Sequence, residues 1–144
     1  MNIKIKPLTL EYIEDVARLE SKLIAKTSKE AVRKTLESKT NFYFILLNEK
    51  EVVGFLQCSI ISPESELYEI GIDENFQGSG YAKMLMEYYL DYAKKKGCDT
   101  ILLEVNKINM KAISLYKKYG FCKYGERKNY YGVNQDAVLM KLKI

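Results

Sequence analysis

The chemistry open to this chain is bounded first by a side chain it lacks. Its 144 residues contain no histidine, which excludes a Ser-His-Asp triad, a Cys-His pair and every zinc site that needs imidazole. A general base must therefore be a carboxylate, a lysine, a tyrosine or an ordered water. Glu104 is the first candidate, because it interrupts the apolar stretch Ile101-Leu102-Leu103-Glu104-Val105. A carboxyl half-buried among apolar side chains has a raised pKa and can accept a proton through water. The same pattern also suits a carboxylate on the solvated face of a strand, and the residues alone leave both open.

The second constellation is Gln77-Gly78-Ser79-Gly80-Tyr81-Ala82. It lies between a strand pattern and the start of a helix pattern. Two glycines let backbone N–H groups approach a ligand closely. The helix end adds unpaired donors and the positive end of a dipole, so the segment suits an anion such as a pyrophosphate. The spacing does not match a P-loop, since Lys83 follows Gly78 without a glycine directly before it. Nor does it match G-x-G-x-x-G, since Lys83 occupies the third glycine's place. A glycine-rich turn that merely joins strand to helix also remains open.

The elements that must position these residues follow from periodicity. Ile3 and Ile5 alternate with polar residues as a first strand, and a helix is expected over about Thr9 to Ala25, with Ile13, Val16, Leu19 and Leu23 on one face. Thr27 and Glu30 have the spacing of a capping box and open a second helix to about Ser38. Phe42–Leu47 and Val52–Ile61 read as a hairpin around Asn48-Glu49-Lys50-Glu51, and Leu67–Ile72 as the next strand. From about Ser79, Ala82, Leu85, Met86, Tyr89, Leu90 and Ala93 form one continuous helical face, with Lys94, Lys95 and Lys96 at its negative end and Gly97 beyond it. Ile101–Val105 is a strand and Asn109–Tyr119 a helix that stops at Gly120. Phe121–Lys128 and Ala137–Leu142 are strands joined through Tyr130-Tyr131-Gly132-Val133-Asn134. The order β-α-α-β-β-β-α-β-α-β-β predicts one mixed α/β domain over residues 1–144.

Composition narrows the partners. The balance of 23 Lys+Arg against 19 Asp+Glu gives a net charge of +4. That suits a phosphate-bearing ligand and falls short of a nucleic-acid-binding domain, so no direct nucleic-acid partner is expected. The longest apolar run, Phe42–Leu47, is far below the roughly 20 residues of a membrane span, and the N-terminus lacks the apolar stretch of a signal peptide. Cys58, Cys98 and Cys122 are odd in number and scattered, which reads as free thiols in the cytoplasm and as no metal site.

With these elements placed, the chain resembles a known family. Gln77-x-x-Gly80-x-Ala82, directly after a strand and opening a helix, is similar to the acetyl-CoA signature of the GNAT acetyltransferase superfamily. Leu103-Glu104-Val105, Asn109, Ala112-Ile113, Leu115-Tyr116 and Gly120-Phe121 resemble, more specifically, the RimI-type ribosomal-protein-alanine N-acetyltransferases. So do Arg127-Lys128-Asn129-Tyr130-Tyr131, Asp136-Ala137 and Met140. The specific likeness covers about residues 66 to 144.

The resemblance implies a GNAT fold, a mixed and mostly antiparallel sheet of about seven strands flanked by about four helices. It implies acetyl-CoA as cosubstrate, no metal, and direct transfer to an amine. In that scheme Ile70, Gly71 and Ile72 pair with the pantetheine arm. Gln77, Gly78, Ser79, Gly80, Tyr81, Ala82 and Lys83 hold the pyrophosphate, and Asn109 contacts the cosubstrate near the following helix. Glu104 is the implied base and Tyr116 the implied acid, a phenol able to protonate the leaving sulfur. By spacing alone, Tyr116 shares a helical stripe with Ala112, Ile113 and Tyr119 and could equally be core. Tyr130 and Tyr131 are implied to line the acceptor groove. Glu69 is implied beside the acceptor as a reserve base, because some family members use a carboxylate from that strand.

One segment departs from the RimI-type pattern. Ala25-Lys26-Thr27-Ser28-Lys29-Glu30 has no aromatic residue where that group carries Phe/Pro/Trp-Ser. The expected acceptor is a protein N-terminus, as of a ribosomal protein, acted on by a monomer or homodimer. A small amine, a lysine side chain, or a non-catalytic acyl-CoA-binding module are the alternatives.

Overall fold

The computed structural model describes residues 2–144. Its elements are β1 (Ile3–Pro7), α1 (Ile13–Leu23), α2 (Lys29–Glu37), β2 (Asn41–Asn48), β3 (Glu51–Ile61), β4 (Glu64–Ile72), α3 (Tyr81–Lys95), β5 (Thr100–Asn106), α4 (Met110–Lys118), β6 (Cys122–Gly132) and β7 (Gln135–Lys143). The strands form one sheet in the order β1-β2-β3-β4-β5-β7-β6. Every pairing is antiparallel except β4 with β5.

Alternation along β2 explains why it reads as an unbroken apolar run. Phe44 and Leu46 point to the face covered by α3, where Leu85, Met86, Tyr89 and Ala93 are buried. Tyr43, Ile45 and Leu47 point to the opposite face, against Val16, Ala17 and Leu19 of α1 and Val32 of α2. A strand covered on both sides needs apolar residues at every position. The α4 helix joins the α3 side through Ile113, with Tyr116 packed at its margin.

Three local readings change. The first helix is shorter than its apolar stripe, since Leu10–Tyr12 form a separate 3-10 turn before α1. Ser28, not Thr27, caps α2, its hydroxyl accepting from Ala31 N–H at 3.1 Å. Glu30 is instead drawn to Arg33, and the Thr27 backbone is tied to the Ser21 hydroxyl. Tyr130 and Tyr131 lie within β6 rather than in a connection, because the turn narrows to Val133-Asn134. A register irregularity between Arg127 and Gly132, with Asn129 at a φ of 55°, lets β6 run this far. No described helix is long and apolar enough to cross a membrane.

The feature that matters for the site is where a ladder stops. The β4–β5 pairing spans only Glu64↔Thr100 to Leu67↔Leu103. Beyond it β4 continues to Ile72 and β5 to Asn106, unpaired with each other, and the sheet opens as a V.

Phe44 anchors the larger core, fully buried among Tyr88, Tyr89 and Tyr92 with ring centroids 5.3, 6.4 and 4.7 Å away. Phe44→Ala is expected to cost about 3–5 kcal/mol of stability, read as a lower urea midpoint with an unchanged slope.

Candidate active site

The V between β4 and β5 holds a cleft of about 1150 Å³. Its walls come from the ends of both strands, the Gln77–Ala82 loop, α4, and Tyr131 of β6. The β4 wall presents backbone. Asp73 N–H donates to Val53 C=O at 2.8 Å, which fixes the ladder's alternation and sends the amide and carbonyl groups of Ile70 and Ile72 toward the cleft. One of these groups is already used, since Gln77 Nε2 donates to Ile72 C=O at 3.0 Å. Gln77 is thus a strap from loop to strand. Gly71 faces the other way: a Cβ there would lie 2.9 Å from the Phe55 ring and 3.2 Å from Leu23. Its small size serves packing under α1.

The floor of the cleft is a glycine loop whose free backbone donors suit an anion. Gly78 and Gly80 have φ of 80° and 84°, a left-handed conformation that favours glycine, and nothing lies within 4 Å of where their Cβ atoms would be. Gly80 caps α3, and the first helical bond is Met84 N–H to Gly80 C=O. The N–H groups of Tyr81, Ala82 and Lys83 are left without intrahelical partners. Tyr81 rests near Phe76, with centroids 6.3 Å apart. Ser79 is exposed, and the Lys83 ammonium lies 4.0 Å from Glu87 on the helix surface. On the far wall Asn109 caps α4 by accepting from Ala112 N–H at 3.2 Å, which leaves its side-chain N–H groups for a ligand. A diphosphate with an amide-bearing arm fits these groups: donors at the floor, strand-edge backbone along the wall.

The titratable groups fall into two sets. Tyr116 lines the cleft from α4, edge-on to Phe121 at 5.8 Å. Burial, then the nearby Tyr131 phenol, pushes its pKa above the ordinary tyrosine value. A phenol held in this way keeps its proton until a strong base develops beside it. Glu104 is not in the apolar setting its strand suggested. Ile101, Leu103 and Val105 turn to the α3 face and are buried, while the Glu104 carboxylate turns to the opposite face and meets Arg127 Nε at 3.1 Å. Glu104 raises the pKa of Tyr130 by its charge and contributes, after burial, to raising that of Tyr131. Those two rings stand edge to face at 5.0 Å, and the Arg127 guanidinium lies 5.8 Å over Tyr130. Tyr131 stands on the cleft wall, whereas Glu104 lies beside it and is not one of the residues that line the cavity.

The second set was not visible in the sequence as a set. Glu69 lines the cleft from β4. Behind it Glu20 of α1 is buried, with its Oε1 accepting from the Tyr43 hydroxyl. Burial, then the charge and closeness of Glu20, pushes the Glu69 pKa up to about 7. The available signal was Glu20's place on α1, four residues after Val16 and three before Leu23, within the apolar stripe. A glutamate there must find a partner.

The family model described as Acetyltransferase (GNAT) family matches residues 10–121. The chain is 33% identical over 104 residues, 70% of each sequence, to the [ribosomal protein bS18]-alanine N-acetyltransferase of Escherichia coli strain K12. The crystal structure of the ribosomal-protein-S18-alanine N-acetyltransferase from Escherichia coli superposes with a TM-score of 0.88 at 26% identity, covering 99% of this chain and 94% of that one. A GNAT family acetyltransferase from Elizabethkingia anophelis, solved with acetyl-CoA bound, shares the fold with a TM-score of 0.79 at 22% identity, over 99% of both chains.

The raised Glu69 pKa makes a stability prediction. The folded protein binds this proton more tightly than the unfolded chain, so the group's contribution is fully present below the ordinary 4.5 and is lost as pH rises through about 7. Glu69→Gln removes that dependence. The difference in melting temperature, variant minus native, is expected to increase from pH 5 to pH 8, as measured by circular dichroism melts in matched buffers.

Proposed function

The chain belongs to the GNAT acetyltransferase family, and on that premise we propose that it acetylates a protein N-terminal α-amine of the ribosomal-protein-alanine type. Acetyl-CoA is the donor, and residues 1–144 act as one catalytic domain. The observation that carries the reading is the cleft, where unpaired strand backbone at Ile70 and Ile72, the glycine cradle and Tyr116 face one cavity. The named α-amine specificity of the Escherichia coli relative favours this acceptor over a small amine or a lysine side chain. The three free cysteines agree with a cytoplasmic setting.

Bound acetyl-CoA supplies an activated acetyl thioester. The chain's own groups do the rest. Ile70 and Ile72 hold the pantetheine arm as an added strand would be held. The N–H groups from Gly78 to Lys83 take the pyrophosphate, and Asn109 steadies the cosubstrate beside α4. Glu104 accepts the proton that the attacking amine must lose, through a water beside Tyr131. As the C–N bond forms and the C–S bond breaks, Tyr116 gives its hydroxyl proton to the departing sulfur. Tyr130 and Tyr131 flank the acceptor on β6.

A peptide beginning with alanine is expected to release free thiol from acetyl-CoA, and the same peptide with a blocked N-terminus is not. Equal release from both would refute α-amine specificity. Glu104→Gln should lower turnover about 10²-fold, more at low pH than at high pH, where the amine loses its proton unaided. Tyr116→Phe should lower turnover while acetyl-CoA still raises the melting temperature as in the native protein.

A further inference from the structure

Glu69 presents an accounting problem. Its Oε2 is sealed from solvent and has no hydrogen-bond partner among the described residues. The Glu20 carboxyl is within hydrogen-bonding reach of it, yet two ionised carboxylates have no proton with which to bond. Glu20 is itself only 6% exposed and receives the Tyr43 hydroxyl on its other side. Among the described residues no cation relieves the pair. On α1, Lys22 turns to a separate cleft with Asp15 and Glu49. On β3, the neutral Gln57 stands opposite Glu69. Arg127 is engaged with Glu104 on the other arm of the V. Like-charged carboxyls in such a place resolve the conflict by sharing one proton.

The pair's position gives this proton a use. Glu69 sits just past the last β4–β5 pair, on the cleft wall with Leu23, Ile24 and Tyr68. Glu69 and Glu104 thus stand on the two diverging strands, on the face away from α3. An α-amine, with an ordinary pKa near ~8, arrives mainly as an ammonium cation and must be held before it is deprotonated. We propose that Glu20 and Glu69 share one proton in the free enzyme and that Glu69, once that proton leaves, binds the acceptor's ammonium at the cleft mouth. Glu20, backed by Tyr43, is a positioning residue that sets the pH at which Glu69 becomes available. This rests on the amine-acetylating reading above and adds to it the charge state in which the acceptor is captured.

The test combines infrared spectroscopy of the substrate-free protein with acceptor KM at two pH values. At pH 6 the native protein should show the carbonyl band of a protonated carboxyl, absent from both Glu69→Gln and Glu20→Gln. With an alanine-initiated peptide, Glu69→Gln should raise acceptor KM about tenfold at pH 8, as loss of one charge-assisted hydrogen bond implies, and leave it near native at pH 6. Glu20→Gln keeps an acceptor for Tyr43 and offers Glu69 an amide N–H, so Glu69 stays ionised. Acceptor KM in that variant should fall about tenfold below native at pH 6 and match native at pH 8, an improvement that structural damage cannot produce. The KM for acetyl-CoA should not move in either variant. Absence of the band overturns the shared proton. A Glu69→Gln effect equal at both pH values, or a Glu20→Gln variant with weakened acceptor binding at pH 6, overturns the acceptor role. If Glu69→Gln does not fold, the Glu20→Gln band and KM decide alone. A native protein that acetylates no amine, yet shows the band and is stabilised by acetyl-CoA, overturns the transfer reading and the acceptor role with it, while leaving the shared proton intact.

Discussion

The structure depends on a ladder that ends early. Four residue pairs join β4 to β5, and past Leu67 and Leu103 the strands part. An interior sheet edge with unpaired amides and carbonyls is normally costly. Here the cost is managed locally, with Gln77 covering one carbonyl of Ile72 and the remaining groups lining a cavity. The cradle at Gly78 and Gly80, the cap at Asn109 and the phenol of Tyr116 are useful because they surround this one opening. Had β4 and β5 paired along their full lengths, the same residues would line no cleft.

The carboxylates follow from the same geometry. Diverging strands carry Glu69 and Glu104 apart on one face, and each meets a different neighbour. Glu104 finds Arg127, a permanent cation. Glu69 finds Glu20, a second acid. Two identical side chains thereby meet opposite surroundings, one held against a guanidinium and the other pushed by burial and a neighbouring acid toward its protonated form. In a protein without histidine, that contrast supplies the titration range that imidazole provides elsewhere.

Much of the fold was legible because it is local. The α3 stripe from Ala82 to Ala93, the glycine pair before it and the stop at Gly97 are all set by neighbours within a few residues, and the structure keeps them. The shift from Thr27 to Ser28 as a helix cap shows the limit of local reading, since only Thr27 has a glutamate at the capping-box spacing, yet the Ser21 hydroxyl ties down the Thr27 backbone and Ser28 takes the cap. The site was less legible because its decisive contacts are long-range. Glu104 reads as a carboxylate among apolar residues until β6, after its irregular register, brings Arg127 across. Glu20 meets Glu69 only when α1 packs on the far side of the sheet. The extension of β6 through Tyr131 depends on Asn129 adopting a positive φ, which no periodicity announces.

The short β4–β5 seam also divides the sheet into two unequal blocks, β1–β4 and β5–β7, that share few backbone bonds. A ligand lying along Ile70 and Ile72 adds contacts to one block while touching α4 on the other. Ligand that binds only the folded chain adds RT ln(1 + [L]/Kd) to its stability. The two blocks are joined by four residue pairs and by the core that α3 packs across both, and a donor lying in the V would add contacts to each block in the manner of a missing strand.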